Sequence, residues 1–143
     1  MSTSTTRVMF VCRANSCRSQ MAEGFGLNLT KSSSIVKVVS CGLAKSSVNQ
    51  RAVAVMKDAG VDISSHRSRS IDEFKPADFD VVISMCGCSA TLPDDWRSRP
   101  VFRDWNLDDP PALVDGEPGV FERVRDEIHT LVQSLISEIS TST

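Results

Sequence analysis

The segment RVMFVCRANSCRS at residues 7–19 decides the fold. Its continuous apolar run, Val8–Val11, is typical of a strand that is buried on both faces of a parallel sheet, and it predicts a strand over residues 7–12. After a polar loop, apolar residues recur at helical spacing and predict a helix over residues 19–29. The apolar face of that helix is formed by Met21, Ala22, Phe25 and Leu29.

The rest of the chain repeats this alternation of strands and helices. A second helix follows Asn49, a residue that favours the N-cap position, and should end at Gly60. Alternating strands and helices form a parallel sheet with helices on both faces, so the predicted fold class is α/β with four parallel strands. The further strands are predicted at residues 35–40, 81–85 and 101–105, the further helices at 49–60 and 120–139, and loops at 93–95 and 108–119.

Size and composition are those of one globular domain. The 143 residues are 41% hydrophobic and 24% charged, which predicts a single domain over 1–143 with frayed ends at 1–6 and 140–143. No apolar run approaches the roughly 20 residues of a membrane span, and the polar N-terminus lacks a signal-peptide core, so a cytoplasmic protein is expected. The net charge of −2 argues against nucleic-acid binding. Residues 1–70 nevertheless carry 10 Lys/Arg against 3 Asp/Glu, which favours an anion site in this half.

The loop after the first predicted strand has the features of an oxyanion site. It leads into a helix N-terminus, where backbone N–H groups and the helix dipole attract anions. Arg18 can bind an oxyanion through two N–H groups, and the same positive field favours the thiolate of Cys12, to which Ser19 can donate its hydroxyl. The alternative is a buried strand-end thiol beside a surface arginine. The predicted oxyanion-binding residues are Arg13, Ala14, Asn15, Ser16, Cys17, Arg18 and Ser19.

Five cysteines without a secretion signal do not indicate a disulfide framework. Cys86 and Cys88 follow the third long strand and therefore lie at the same sheet edge as Cys12. Zinc is not predicted, because the chain has no Cys-x-x-Cys or paired-His motif. Gly87 allows the backbone between the two thiols to bend, which favours a redox relay with Cys12. Structural roles are predicted for the other two cysteines, Cys17 and Cys41.

The run CRANSCRSQMAEG at residues 12–24 resembles the arsenate reductases built on the low-molecular-weight protein tyrosine phosphatase fold. The resemblance implies the same four-stranded parallel sheet and no bound cofactor. In that family an Asp before a Pro lies over the anion and donates a proton to the leaving oxygen, and Asp109 matches this position. The resemblance continues through residues 40–42, 62–64, 80–84 and 105–110.

The resemblance also bears on the electron donor and on a metal ion. The Cys86–Cys88 spacing is similar to that of cyanobacterial-type members, which draw electrons from glutathione and glutaredoxin, whereas thioredoxin-coupled members have their later cysteines farther apart. The thioredoxin-coupled members bind potassium beneath the first loop, and Asn15, Glu23 and Ser40 match three of its ligands. Arg69 stands at the position of the carboxylate ligand. We therefore expect no metal ion, and glutathione with glutaredoxin as reductants, with thioredoxin as the alternative partner.

Together these features predict an arsenate reductase with Cys12, Arg18, Cys86, Cys88 and Asp109 as catalytic residues. Arsenate, with phosphate and sulfate as analogues, binds the first loop, and arsenite leaves when a second thiol forms a disulfide. Two thiols that become a disulfide supply the two electrons of this reduction, whereas a phosphatase needs one cysteine. The order in which Cys86 and Cys88 attack, and a disulfide with glutathione in their place, stay open. The alternatives are a phosphomonoester or phosphotyrosine hydrolase and a non-catalytic oxyanion or thiol sensor.

Overall fold

Strand β1 (Thr6–Cys12) lies inside a four-stranded parallel sheet with the order β2-β1-β3-β4. The structure is a computed structural model and describes residues 5–141. β1 pairs with β2 (Val36–Gly42) along its whole length and with β3 (Val81–Ser84) on its other side, and β3 pairs with β4 (Val101–Asp104). The predicted α/β class with four parallel strands is therefore confirmed.

The three long helices form close to their predicted boundaries. The Asn49 side chain accepts hydrogen bonds from the backbone N–H groups of Arg51 and Ala52, and Gly60 has a positive φ of 85°, so both predicted ends of the second helix are confirmed. None of the helices within residues 5–141 combines the length and apolar composition needed to cross a bilayer. The helices are α1 (Arg18–Thr30), α2 (Gln50–Asp58), α3 (Asp94–Arg97), α4 (Pro110–Leu113) and α5 (Val120–Thr141).

Side chains of β1 alternate between two hydrophobic cores. Val8 and Phe10 point to the larger core, which is closed by the helices α1, α2 and α5. Met9 and Val11 point to a smaller core on the opposite face, where Trp96 of α3 is buried. Helices therefore lie on both faces of the sheet, and β1 is buried from both sides as its continuous apolar run indicates.

Two segments predicted as loops contain short helices. α3 begins inside the predicted 93–95 loop, and α4 lies within the predicted 108–119 loop. Each helix has only four residues, which is too short to produce a hydrophobic period in the sequence. α4 begins at Pro110, because proline fits the first turn of a helix, where a missing N–H costs nothing.

The predicted apolar face of α1 is wrong at one position, and the predicted frayed ends are too long. Leu29 is exposed, because α1 packs against the larger core through the turns that precede it. β1 includes Thr6, whose backbone N–H donates to the Ile35 carbonyl at 2.7 Å. α5 runs through Ser140 to Thr141, because Ile139 is still buried against the core. Residues 1–4 and 142–143 lie outside the described residues.

Candidate active site

The backbone carbonyl groups of the loop between β1 and α1 point away from its concave side. We call residues 12–19 the anion loop. The carbonyl and the next N–H of a trans peptide plane point in opposite directions, so outward carbonyls turn the N–H groups of residues 13–17 inward. Such a nest of N–H groups at a helix N-terminus binds anions. The carbonyl oxygens of Cys12, Arg13, Ala14, Asn15 and Ser16 accept hydrogen bonds from Leu43 N (3.0 Å), Ala44 N (3.0 Å), Ser68 Oγ (2.9 Å), Gln20 Nε2 (3.1 Å) and Asn49 N (2.9 Å), respectively.

Arg18 is buried at the side of this nest, with 6% of its surface exposed. Its Nη1 donates to the Leu107 carbonyl at 2.8 Å, and its Nη2 lies 3.7 Å from Oδ1 of Asp109. The guanidinium is thus held in place while part of it still faces the loop. The concave side encloses a cavity of about 270 Å³ lined by Cys12, Arg13, Ala14, Ser16, Cys17, Arg18, Ser46, Asn49, Asp109 and Pro111.

The Cys12 thiol lies at the floor of the anion loop and is 3% exposed. Its Sγ is 2.9 Å from Ser19 Oγ. The Ser19 oxygen already accepts a hydrogen bond from Asn15 Nδ2 at 2.9 Å, which leaves the Ser19 hydroxyl hydrogen free to point at the sulfur. A hydroxyl that donates to the sulfur stabilises a thiolate, the form in which cysteine acts as a nucleophile.

Asn15 holds the anion loop from beneath. It has a positive φ of 50°, a conformation that asparagine tolerates better than most residues. Its Nδ2 also donates to Ser40 Oγ at 2.8 Å, and the Ser40 hydroxyl donates to Glu23. Its Oδ1 accepts from Gln20 Nε2 at 2.9 Å and from the Arg69 N–H at 2.8 Å.

This network does not fit the potassium site of the thioredoxin-coupled members. The amide oxygen of Asn15 is already bonded to donors of the chain, and the Ser40 hydroxyl is shared between Asn15 and Glu23. Every buried side-chain nitrogen and oxygen among residues 5–141 has a hydrogen-bond partner. In the described part of the chain, no group of three or more His, Cys, Asp and Glu residues could hold a metal ion. We derive no step that uses a cation.

The end of β2 touches the anion loop directly. A Cβ at Gly42 would lie 2.6 Å from the Asn15 nitrogen and 2.7 Å from the carbonyl carbon of Ala14. Both distances are shorter than real Cβ contacts, so only glycine lets the second strand support the loop this closely.

Cys86 and Cys88 are linked as a disulfide in a turn directly after β3. We call residues 86–88 the redox turn. The pairing of β1 with β3 ends at Val11 and Ser84, so the two strands end side by side. Cys86 is half-buried and packs against the core cluster that contains Cys12. Cys88 is buried, and its Sγ is 3.7 Å from Ser84 Oγ.

Asp109 lies at the N-terminal end of α4 and lines the cavity, as its predicted role requires. Its carboxylate makes no capping bond, is 49% exposed, and lies beside the Arg18 guanidinium at the mouth of the cavity. The neighbouring Asp108 is instead paired with Arg123 at 2.9 Å. Hydrogen bonds from Arg123 hold the pKa of Glu117 below its ordinary value, so this ion-paired cluster stays charged beside Asp109.

Cys17 and Cys41 are free thiols that are buried in the protein. Burial, with smaller contributions from Cys12 and Asp109, raises the pKa of Cys17 to about 12. Burial likewise raises the pKa of Cys41 far above its ordinary value. Both remain neutral thiols at physiological pH, which agrees with the predicted structural roles.

Comparisons with known proteins identify the family. Residues 7–143 match the family model described as "Low molecular weight phosphotyrosine protein phosphatase". A "Glutaredoxin arsenate reductase" of Synechocystis sp. is 47% identical over 94% of this chain and 98% of its own length. An "Arsenate reductase 2" of Staphylococcus epidermidis is 37% identical over 89% of this chain and 93% of its own. A solved structure described as "An arsenate reductase in the phosphate binding state" superposes with a TM-score of 0.84 at 44% identity, over 94% of this chain and 99% of that one.

The chain belongs to the low molecular weight phosphotyrosine protein phosphatase family. The predicted resemblance is thereby confirmed. Of the predicted site residues, those of the anion loop and Asp109 surround one cavity or hold the loop beneath it. Cys86 and Cys88 do not line that cavity, and they lie at the end of the adjacent strand.

Sequence reasoning missed the residues that hold this family site in shape. Ser68 and Gln20 bind carbonyls of the anion loop, and Asp104 binds the turn that contains Cys86 and Cys88. Polar residues of this kind carry no motif of their own, since the chain separations between partners reach 54 residues. Only the proximity of Gln20 to the loop could have suggested its role.

Proposed function

We propose that this chain is an arsenate reductase in which Cys12 is the nucleophile and the redox turn removes the oxidising equivalents. The observation that carries the proposal is the joining of Cys86 and Cys88 as a disulfide at the strand end beside Cys12. A hydrolase of this fold needs one cysteine together with Arg18 and Asp109, whereas a reductase needs at least one further thiol to form a disulfide. Relatives that carry the name arsenate reductase match nearly the whole chain.

The anion loop binds arsenate, a tetrahedral oxyanion like phosphate. Inward N–H groups and the Arg18 guanidinium neutralise its charge. The Cys12 thiolate attacks arsenic, and a hydroxyl of arsenate leaves as water after it takes a proton from Asp109. The product is a thioester of arsenate on Cys12, still arsenic(V).

The second step is the reduction. The Cys86 sulfur attacks the Cys12 sulfur, a Cys12–Cys86 disulfide forms, and the sulfur–arsenic bond breaks with its electron pair on arsenic. Arsenic(V) becomes arsenic(III) and leaves as arsenite, while two thiols lose two electrons. We assign the first attack to Cys86 because it packs against the cluster that contains Cys12, whereas Cys88 lies beside Ser84. Cys88 then attacks Cys86, which frees Cys12 and forms the disulfide of the redox turn.

Glutathione and glutaredoxin are the proposed reductants of the redox turn. The name of the Synechocystis relative, of which this chain covers 98%, supports this choice over thioredoxin. Each turnover then oxidises two glutathione molecules to one glutathione disulfide. A reducing compartment such as the cytoplasm fits this scheme, because it keeps free thiols reduced.

The test is an arsenate-dependent NADPH oxidation assay in two mixtures. One contains glutathione, glutaredoxin and glutathione reductase, and the other contains thioredoxin and thioredoxin reductase. We expect turnover in the first mixture and little in the second. Turnover with thioredoxin alone would support arsenate reduction by this chain but would contradict glutathione and glutaredoxin as its reductants. If arsenate causes no NADPH oxidation in either mixture and the protein hydrolyses an aryl phosphate, the proposal is overturned in favour of a phosphatase.

A further inference from the structure

The redox turn is held by one carboxylate from the neighbouring strand. Asp104, the last residue of β4, accepts hydrogen bonds through Oδ1 from the Gly87 N–H at 3.0 Å and through Oδ2 from the Ser89 N–H at 3.3 Å. Oδ1 also accepts from the Asn106 N–H at 2.8 Å. One side chain therefore ties the backbone on both sides of Cys88 to the segment that follows β4.

The opposite side of the turn is equally constrained. Gly87 has a positive φ of 67°, and a Cβ at this position would lie 2.1 Å from Oδ1 of Asn106. Asn106 itself has a positive φ of 47°, and its conformation is fixed by the hydrogen bond to Asp104. Next in the chain, the Leu107 N–H donates to the Met85 carbonyl at 2.9 Å. The redox turn is thus held against the segment 104–107 by hydrogen bonds and by close packing.

We propose that Asp104 is a positioning residue that holds Cys86 and Cys88 within bonding reach of each other and thereby stabilises their disulfide. Holding two thiols together raises the effective concentration of one at the other, which favours the disulfide over the open dithiol. The inference rests on the redox role of the turn in the proposed function. It adds a residue that controls how readily the Cys86–Cys88 disulfide is reduced.

The equilibrium that Asp104 shifts is a complete two-electron exchange. The Cys86–Cys88 disulfide bond breaks, and each sulfur receives a proton and one electron. The two electrons come from two glutathione thiols, which join as glutathione disulfide. A more stable disulfide in the turn means that a higher ratio of glutathione to glutathione disulfide is needed to reduce it.

The experiment measures this equilibrium in the full chain with Cys12→Ser, so that Cys12 cannot exchange with the turn. The protein is equilibrated in glutathione buffers, free thiols are alkylated, and the tryptic peptide of residues 70–97 is weighed. This peptide contains Cys86 and Cys88 and no other cysteine. The variants are Asp104→Ala and Asp104→Asn. Asp80→Ala is the matched control, because Asp80 accepts a hydrogen bond from the Arg7 N–H at the opposite edge of the sheet.

We expect Asp104→Ala to lower the equilibrium constant for the disulfide about tenfold, a rise in reduction potential of about 30 mV. Asp104→Asn keeps one carbonyl oxygen as acceptor and should shift it by less. Phosphate should still raise the melting temperature of both variants, because the anion loop is intact. An unchanged constant in Asp104→Ala, or an equal shift in Asp80→Ala, would overturn the proposal. If Asp104→Ala fails to fold, an unchanged equilibrium constant in Asp104→Asn would overturn the proposal instead.

This measurement needs no arsenate. A shifted constant in a chain that fails to reduce arsenate would therefore refute the proposed function and leave the role of Asp104 standing. An unshifted constant in a chain that does reduce arsenate would refute the role of Asp104 alone.

Discussion

The anion loop and the redox turn follow two adjacent strands of one sheet, yet they are held in different ways. In the anion loop, buried side chains bond to one another, with Asn15 at the centre of contacts to Ser19, Ser40 and Gln20. In the redox turn, the half-buried carboxylate of Asp104 accepts hydrogen bonds from the backbone N–H groups of Gly87 and Ser89. The anion loop is therefore held by a network of side chains that bond to one another, whereas the redox turn is held mainly by one carboxylate.

The difference matches the chemistry that each region performs. An oxyanion must meet the same N–H groups in every turnover, so the anion loop gains from a rigid, preorganised network. A thiol pair that opens and closes must change its conformation in every cycle, so its backbone is held by few bonds. Five substitutions test whether binding of the anion and transfer of the oxidising equivalents are divided between the two regions in this way.

The largest effect is expected for Cys12→Ser. Loss of the nucleophile should lower arsenate reduction at least about 1000-fold, because neither thiol of the redox turn faces the cavity. The measurement is steady-state arsenite release. Phosphate should still raise the melting temperature, since the N–H groups remain. Activity within tenfold of the parent would show that the anion loop is not where the chemistry begins.

The next largest effect is expected in the redox turn. Cys86→Ser should stop turnover before a protein disulfide forms, and Cys88→Ser should stop it at a Cys12–Cys86 disulfide. We expect turnover to fall about 100-fold or more in each, since a required step is removed. Non-reducing peptide mass mapping after one exposure to arsenate separates the two. Cys41→Ser, which removes a buried neutral thiol, is the control. A Cys12–Cys88 disulfide in Cys86→Ser would reverse the proposed order.

A smaller effect is expected for the acid that covers the anion loop. Asp109→Asn removes the proton donor and should lower the rate of the first step about 100-fold, the usual scale of general acid catalysis. The rate is read from single-turnover experiments. Asp108→Asn is the matched control, because Asp108 pairs with Arg123 outside the cavity. If both variants lose the same fraction of the first-step rate, the loop supports the shape of the site and Asp109 does not act as the proton donor.

The last effect is expected on stability, and it concerns Asn15→Ala. It leaves Ser19, Ser40 and Gln20 without their shared partner and should lower the free energy of unfolding by about 2–4 kcal/mol. Asn49→Ala removes only an N-cap and should cost about 1 kcal/mol. Urea unfolding of both variants makes the comparison. A smaller loss for Asn15→Ala than for Asn49→Ala would contradict the deep network.

Much of this fold could be predicted, because its strands and long helices are specified by local sequence patterns. The Val8–Val11 run and the helical spacing of residues 120–139 specify their elements through burial, which depends on the pattern of neighbouring residues. α3 and α4 were missed because four residues do not show a period. Exposure of Leu29 was missed because helical spacing defines a face but not how far along the helix its contacts extend.

By itself, the sequence determined the chemistry available to this protein: a cysteine and an arginine with five residues between them in a loop that joins a strand to a helix, a Cys-Gly-Cys turn, and an acid before a proline. The tertiary structure alone decided which partners hold these groups. Ser68 meets Ala14, Arg69 meets Asn15 and Asp104 meets Gly87 only because strands and loops far apart in the chain end at one edge of the sheet. Hydrogen bonds between such distant residues depend on how the strands are ordered, and no local pattern encodes that order.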